Sequence, residues 1–284
     1  MTSETQPPLP PPGSNNPYAA PTVDLLSAPQ ADDGENFSLQ GRSTSIGQGI
    51  NWIARGWNIF TQSPLIWIVN AFIVLAIYMF LSFVPLIGSL VSFLLYGLLS
   101  GGLMIGAHRQ HSGRALEVGD TFSGFQSPNS SNLFVLGLLY VAAWFGVILV
   151  IGILTAVLIG ATGIGSAMWS GDSSALVGLL AGASMGLLLI ILLALAVSVP
   201  IFMAFWFAPS LVAINAVAPM AALKSSFMAC LRNFLPFFIY GIILAVLFVI
   251  GSLPLFLGLL VVLPLLYTSS YAAYRDIYLA DDGS

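Results

Sequence analysis

Seven basic residues make up the whole cationic inventory of this 284-residue chain, and long uncharged stretches keep them apart. Arg42, Arg55, Arg109, Arg114, Lys224, Arg232 and Arg275 lie outside four segments: Pro64 to Ala107, Leu133 to Asp172, Ser173 to Leu223 and Phe234 to Tyr274. The only charge in those segments is Asp172. A helix needs about 20 apolar residues to cross a hydrocarbon core of about 30 Å. If each stretch is a passage out and back, or half of one, all the cations return to the same side. Under the positive-inside rule that side is the cytoplasm. A water-exposed surface cannot be built here, because 6% of residues are charged and 58% are hydrophobic. A soluble domain carries about 25% charged residues.

The acids segregate as well. Glu4, Asp24, Asp32, Asp33 and Glu35 precede the first base, and Asp276, Asp281 and Asp282 follow the last. The body is therefore cationic and the two ends anionic. A single cysteine, Cys230, excludes an internal disulfide and reads as a small apolar filler. The N-terminus lacks the basic and apolar regions of a signal peptide, so insertion is expected to rely on the first span.

Residues 1–44 are expected to form a disordered, Pro-rich cytoplasmic tail, because eight prolines fall in the first 29 residues and apolar residues are few. Pro7 to Pro12 favours polyproline II. It reads as a solvated tether, or as a ligand for a cytoplasmic protein partner. Residues 45–278 are expected to be a six-span transmembrane domain, and residues 279–284 a disordered acidic C-terminus.

The fold class expected is all-α: a polytopic membrane bundle of six helices in three hairpins, with short interfacial amphipathic helices. The spans run over about 64–83, 86–107, 133–159, 176–207, 235–253 and 258–274. In 46–60, Ile46, Ile50, Ile53, Trp57 and Phe60 recur at helical spacing, which predicts an interfacial helix with Trp52 and Trp57 at headgroup depth. In 217–234, Met220, Leu223, Phe227, Leu231 and Phe234 predict a second. Thr121 to Phe125 is a shorter amphipathic piece. The plan of interfacial helix, hairpin and basic polar stretch recurs around 46–114, 115–216 and 217–276. Two of the turns match as Pro-Leu-x-(x)-Gly, at Pro85 and Pro254. Gly97, Gly101, Gly102 and Gly106, and Gly178, Gly182 and Gly186, are candidate helix-packing positions. The last set serves either internal packing or a homo-oligomer.

Chemistry-bearing groups are sparse. The expected spans hold no Asp, Glu, Lys, Arg or His, which speaks against an ion-coupled transporter and against an intramembrane protease. No catalytic residue and no cofactor is expected. His108 and His111, near Glu117 and Asp120, could form half a metal site but read better as a solvated loop, so no metal is expected. No nucleic-acid module is visible. Arg55, Arg109, Arg114, Lys224, Arg232 and Arg275 are candidate contacts to anionic lipid headgroups, each worth about 1 kcal/mol near the surface.

Four strings carry a resemblance. They are Glu117-Val118-Gly119-Asp120-x-Phe122-x-Gly124-Phe125, Trp206-Phe207-Ala208-Pro209, Ser226-Phe227-x-Ala229-Cys230-x-Arg232-Asn233-x-x-Pro236-Phe237 and Tyr271-x-x-Tyr274-Arg275-Asp276-Ile277. Over about residues 46–278 the chain resembles a family of uncharacterised multi-pass inner-membrane proteins from proteobacteria. That resemblance implies a six-span bundle with no assigned activity. More distantly, the plan is similar to the membrane domain of some bacterial glycerophosphodiester phosphodiesterases, whose catalytic barrel has no counterpart here. The resulting expectation is a non-enzymatic membrane protein that presents its tail to a cytoplasmic partner and contacts lipid. The alternative is a transporter or lipid-handling protein, with a water-accessible cavity near Asn70 or Ser198.

Overall fold

The computed structural model describes residues 36–162, 169–171 and 173–280. The proline-rich sequence before residue 36, residues 163–168 and 172 of the connection expected at 160–174, and the last four residues lie outside them. In chain order the helices are α1 (Gln48–Gln62), α2 (Pro64–Ser82), α3 (Ile87–His111), a 3-10 turn (Val118–Phe122), α4 (Ser123–Gln126), α5 (Ser130–Thr162), α6 (Ser173–Trp206), α7 (Ala208–Asn215), α8 (Pro219–Arg232), α9 (Phe234–Ser252) and α10 (Leu259–Tyr278). Two short strands, β1 (Asn36–Phe37) and β2 (Leu279–Ala280), pair antiparallel.

Among the described residues five stretches are long and apolar enough to cross a membrane: Pro64–Ser82, Ile87–His111, Ser130–Leu158, Gly186–Asn215 and Phe234–Ser252. The sixth expected span, α10, falls outside that set, because its C-terminal half carries Thr268, Ser269, Ser270, Arg275 and Asp276. Thr268 and Ser269 are nevertheless fully buried. α10 packs against α1, α2, α3 and α9, so protein rather than lipid surrounds it and it needs no apolar coat. In α5 and α6 the long runs of exposed Leu, Ile, Val and Phe are the surface that hydrocarbon would cover.

The two proline turns use one device. Leu86 follows Pro85 with φ 63°, and Leu255 follows Pro254 with φ 51°. A Cβ on Gly88 would lie 1.7 Å from the Leu81 carbonyl oxygen, and one on Gly258 would lie 2.5 Å from Gly251 Cα. Only glycine lets the second helix start that close to the first.

Each amphipathic segment docks on longer helices. The 3-10 turn and α4 pack on α3, α8 packs on α6, and α1 packs on α10 and α9, which closes the ring. α1 lies close because Gly49 faces the Pro236 carbonyl oxygen and Gly56 faces Ser269 Cα, where a Cβ would sit at 2.3 and 2.5 Å. This corrects the placing of Trp52 at headgroup depth. Trp52 is fully buried against Phe237 and Tyr240, whereas Trp57 is exposed.

The tail boundary also moves. Residues 36–44, read as disordered, form a strap over one end of the bundle, and residues 279–280 of the expected acidic terminus pair with it. Ser38 N–H donates to Tyr278 O (2.9 Å) and Arg42 N–H to Ile277 O (2.9 Å). Buried Asn233 accepts from Thr44 N–H (2.7 Å) and donates to Arg42 O (2.9 Å). A strap held through backbone groups needs little apolar content of its own, so composition could not reveal it.

Candidate functional site

The cations gather at the end of the bundle where the hairpins return. α3, α6 and α10 run toward that end, and α1, α8, the strap and the 112–126 segment cover it. All four motif strings converge there. Glu117 and Asp120 form a reciprocal cap on the 3-10 turn, in which Glu117 N–H donates to Asp120 Oδ2 (2.9 Å). Asp120, almost fully buried, also pairs with Arg109 at 2.6 Å. Phe207 N–H donates to Ser226 Oγ (2.9 Å) where α6 breaks into α7. Arg232 donates to Gln40 O (2.9 Å), which ties α8 to the strap. Tyr274 OH donates to Asn215 Oδ1.

Asp276 organises the last string. Trp52 Nε1 donates to its Oδ2 (2.9 Å), and Arg55 Nη1 lies 3.5 Å from its Oδ1. The backbone beside it is used too: Arg42 Nε donates to Asp276 O (2.6 Å) and Arg42 Nη2 to Leu279 O (2.9 Å). Around this carboxylate opens a cavity of about 350 Å³. Arg42, Arg55, Arg275 and His111 line it, together with the amides of Asn58 and Gln62. The described lining thus holds three guanidiniums and one carboxylate.

The candidate lipid contacts therefore separate. Arg55 and Arg275 line the cavity, Arg109 is paired, Arg232 holds the strap, and Arg114 and Lys224 are exposed. Arg42 was missed, because it sits where composition reads as tail. Its distance from the apolar stretches carried no signal that it would fold back.

The histidines go different ways. His108 Nδ1 lies 3.0 Å from Tyr271 OH, while His111 faces the basic cavity. With Glu117 and Asp120 turned into the cap, the four residues do not assemble a ligand set. Among the described residues no group of three or more His, Cys, Asp or Glu lies together.

The packing glycines meet different partners. A Cβ on Gly97 would lie 2.3 Å from Leu133 O and one on Gly102 2.4 Å from Thr121 O. Gly101 faces the Leu133 side chain, and Gly106 faces Asp120 Cβ and Leu116. On Gly186 a Cβ would lie 2.5 Å from Leu158 Cδ1. What surrounds Gly178 and Gly182 lies outside the described residues.

Asn70 is fully buried and accepts from Thr121 Oγ1 (2.9 Å) while donating to Glu117 O (3.2 Å). Ser198 donates to Ala194 O of its own helix (2.7 Å). An apolar crevice of about 200 Å³ lies between α6, α8 and α9, lined in part by Phe202, Trp206, Phe234 and Phe238. Burial pushes the Cys230 thiol beside it up to about 12.

The chain is 29% identical over 260 residues to a probable inner membrane protein of Burkholderia thailandensis, a match covering 84% of this chain and 94% of the relative. This agrees with the proteobacterial inner-membrane family that the four strings resemble. No family model matches the chain. No solved structure matches it.

Proposed function

We propose that this chain is a non-enzymatic, multi-pass protein of a bacterial inner membrane, with both termini cytoplasmic and a cationic cytoplasmic end set against anionic lipid headgroups. One observation carries the reading: the cations collect at the end where the hairpins return, and contacts tie Arg42, Arg55 and Arg232 to the strap and α10. A cation excess at the ends of the spans is what orients membrane proteins. α10 makes the sixth crossing, its polar half shielded by neighbouring helices. Arg114 and Lys224, both exposed, supply general headgroup attraction of about 1 kcal/mol each. The proline-rich N-terminal sequence then belongs in the cytoplasm, where a protein partner can meet it.

Reporter fusions test this. Alkaline phosphatase should be active when fused after residues 84, 165 and 255, and a cytoplasmic fluorescent reporter after 116, 217 and 280. Phosphatase activity at 116 or 217 would overturn the orientation. In nanodiscs the protein should melt at a higher temperature in phosphatidylglycerol than in phosphatidylcholine.

A lipid-handling reading draws on the apolar crevice between α6, α8 and α9. It requires a lipid chain to enter there. Spin-labelled phosphatidylcholine in the nanodisc should then quench Trp206 fluorescence more strongly than it quenches Trp57.

A further inference from the structure

We infer that the cavity enclosed by α1, the end of α3, α10 and the strap binds a phosphomonoester, supplied as a lipid headgroup or as a small soluble phosphate. The inference rests on the reading above for the compartment the cavity faces. Its chemistry stands on the lining. Arg42, Arg55 and Arg275 bring three guanidiniums to the lining, with Asp276 the acid among its described residues. Asp276 is already engaged by Trp52 and Arg55. Positive charge concentrated in a cleft raises the local concentration of anions. A phosphomonoester carries about −1.5 to −2 at pH 7, an anion that a guanidinium-rich lining attracts. Guanidinium forks suit phosphate oxygens better than a point charge does.

Preorganisation favours the site. Arg42 is held by bonds to Asp276 O and Leu279 O before any ligand arrives, so less rotamer freedom is lost on binding. Arg55, Asn58 and Gln62 share one flank of α1, with Ile50, Ile53 and Trp57 on the other side of its buried face. With the apolar flank at the bilayer edge, the polar flank sits level with the headgroups. The cavity, about 350 Å³, is at the small end of ligand sites, which span about 300–1,000 Å³. It exceeds a bare phosphate and leaves room for a group the size of glycerol.

The test uses the full chain in phosphatidylcholine nanodiscs, with two probes: radiolabelled glycerol 3-phosphate in solution, and phosphatidate added to the bilayer and read by native mass spectrometry. Saturable binding of one equivalent of at least one probe is expected. Binding of glycerol 3-phosphate alone identifies a soluble source, and binding of phosphatidate alone a lipid source. Arg55→Gln removes a partner of Asp276, so the decisive variant is Asn58→Asp with Gln62→Glu. It adds repulsion at two exposed positions and leaves that network intact. It should weaken binding by about tenfold or more, while Arg114→Gln with Lys224→Gln, which thins general headgroup attraction outside the cavity, leaves the affinity for soluble glycerol 3-phosphate unchanged. The inference is overturned if neither probe saturates, if N58D/Q62E binds like the parent, or if R114Q/K224Q loses as much. A reversed reporter pattern with intact binding removes the orientation alone. The expected pattern without binding removes the pocket alone.

Discussion

Trp52 Nε1 and Asp276 Oδ2 are joined at 2.9 Å across 224 positions of sequence, so the first helix and the last share one partly buried hydrogen bond. Trp52 has no solvent exposure, and the Asp276 side chain is 12% exposed. A charged acceptor makes this bond worth more than a neutral one. Trp52→Phe keeps most of the ring and loses the donor, and should cost about 1–3 kcal/mol. Asp276→Ala leaves the indole N–H unsatisfied in the core, frees Arg55 and should cost at least as much. Both effects should be read as lower midpoints in detergent-denaturation titrations, with the D276A shift the larger. Equal stability of D276A and the parent would contradict the assignment.

Asn233 fastens the strap. Its side chain accepts from Thr44 N–H and Thr44 Oγ1 (3.1 Å), and donates to Arg42 O and to Ala229 O (2.9 Å). Asn233→Ala removes all of these at once from a fully buried site. The strap should then open more often, and opening exposes the Arg42–Ser43 bond to trypsin. When opening is fast relative to cleavage, the cleavage rate follows the open population, so a loss of about 1.4 kcal/mol gives about tenfold faster cutting. Mass spectrometry of limited digests measures it. Cleavage after Arg114, in a loop exposed in both proteins, should proceed at the same rate in each and serves as the internal reference.

Glycine substitutions separate docking from mere helicity. Gly56→Ala places a Cβ 2.5 Å from Ser269 Cα, a backbone atom that cannot yield without moving α10. Gly47→Ala meets nothing within 4 Å. Overpacking of a rigid contact costs about 1–3 kcal/mol. G56A should therefore lower the yield of monodisperse protein and its melting temperature, while G47A leaves both unchanged.

The apolar helices were legible because uncharged length is a strong signal and the bilayer demands little else. The tight turns at Pro85 and Pro254 were legible from those prolines and the glycines that follow them. The docking of α1 was not, because Gly49 and Gly56 lie seven residues apart inside a stripe that also fits a lipid surface. Amphipathic periodicity reports an apolar face but not which apolar phase covers it, and so Trp52 was read toward headgroups. The cationic cavity escaped for a related reason. Arg42, Arg55, His111 and Arg275 are brought together by the strap and by closure of the ring, neither of which leaves a local pattern. Mean hydropathy leaves α10 out of the apolar set, since it cannot register that other helices enclose Thr268 and Ser269.

Cys230 gives a pH-dependent readout. It is buried on α8 beside Met203 O, at 3.6 Å, and burial pushes its thiol from an ordinary 9.0 up to about 12. The nucleophile in alkylation is the thiolate. Between pH 7 and 9 the folded protein should therefore resist maleimide, while the same protein unfolded in detergent at pH 8 labels within minutes. The sign for stability follows from the raised value. Below the ordinary thiol range both states hold the proton and folding is undisturbed. As pH climbs from about 9 toward about 12, the unfolded chain ionises first, so the thiol's contribution to stability declines. Cys230→Ser carries no such ionisation and should flatten that decline. Parent and C230S should diverge only above pH 9 in denaturation midpoints, and rapid labelling of the folded parent at pH 8 would show that the thiol is not enclosed.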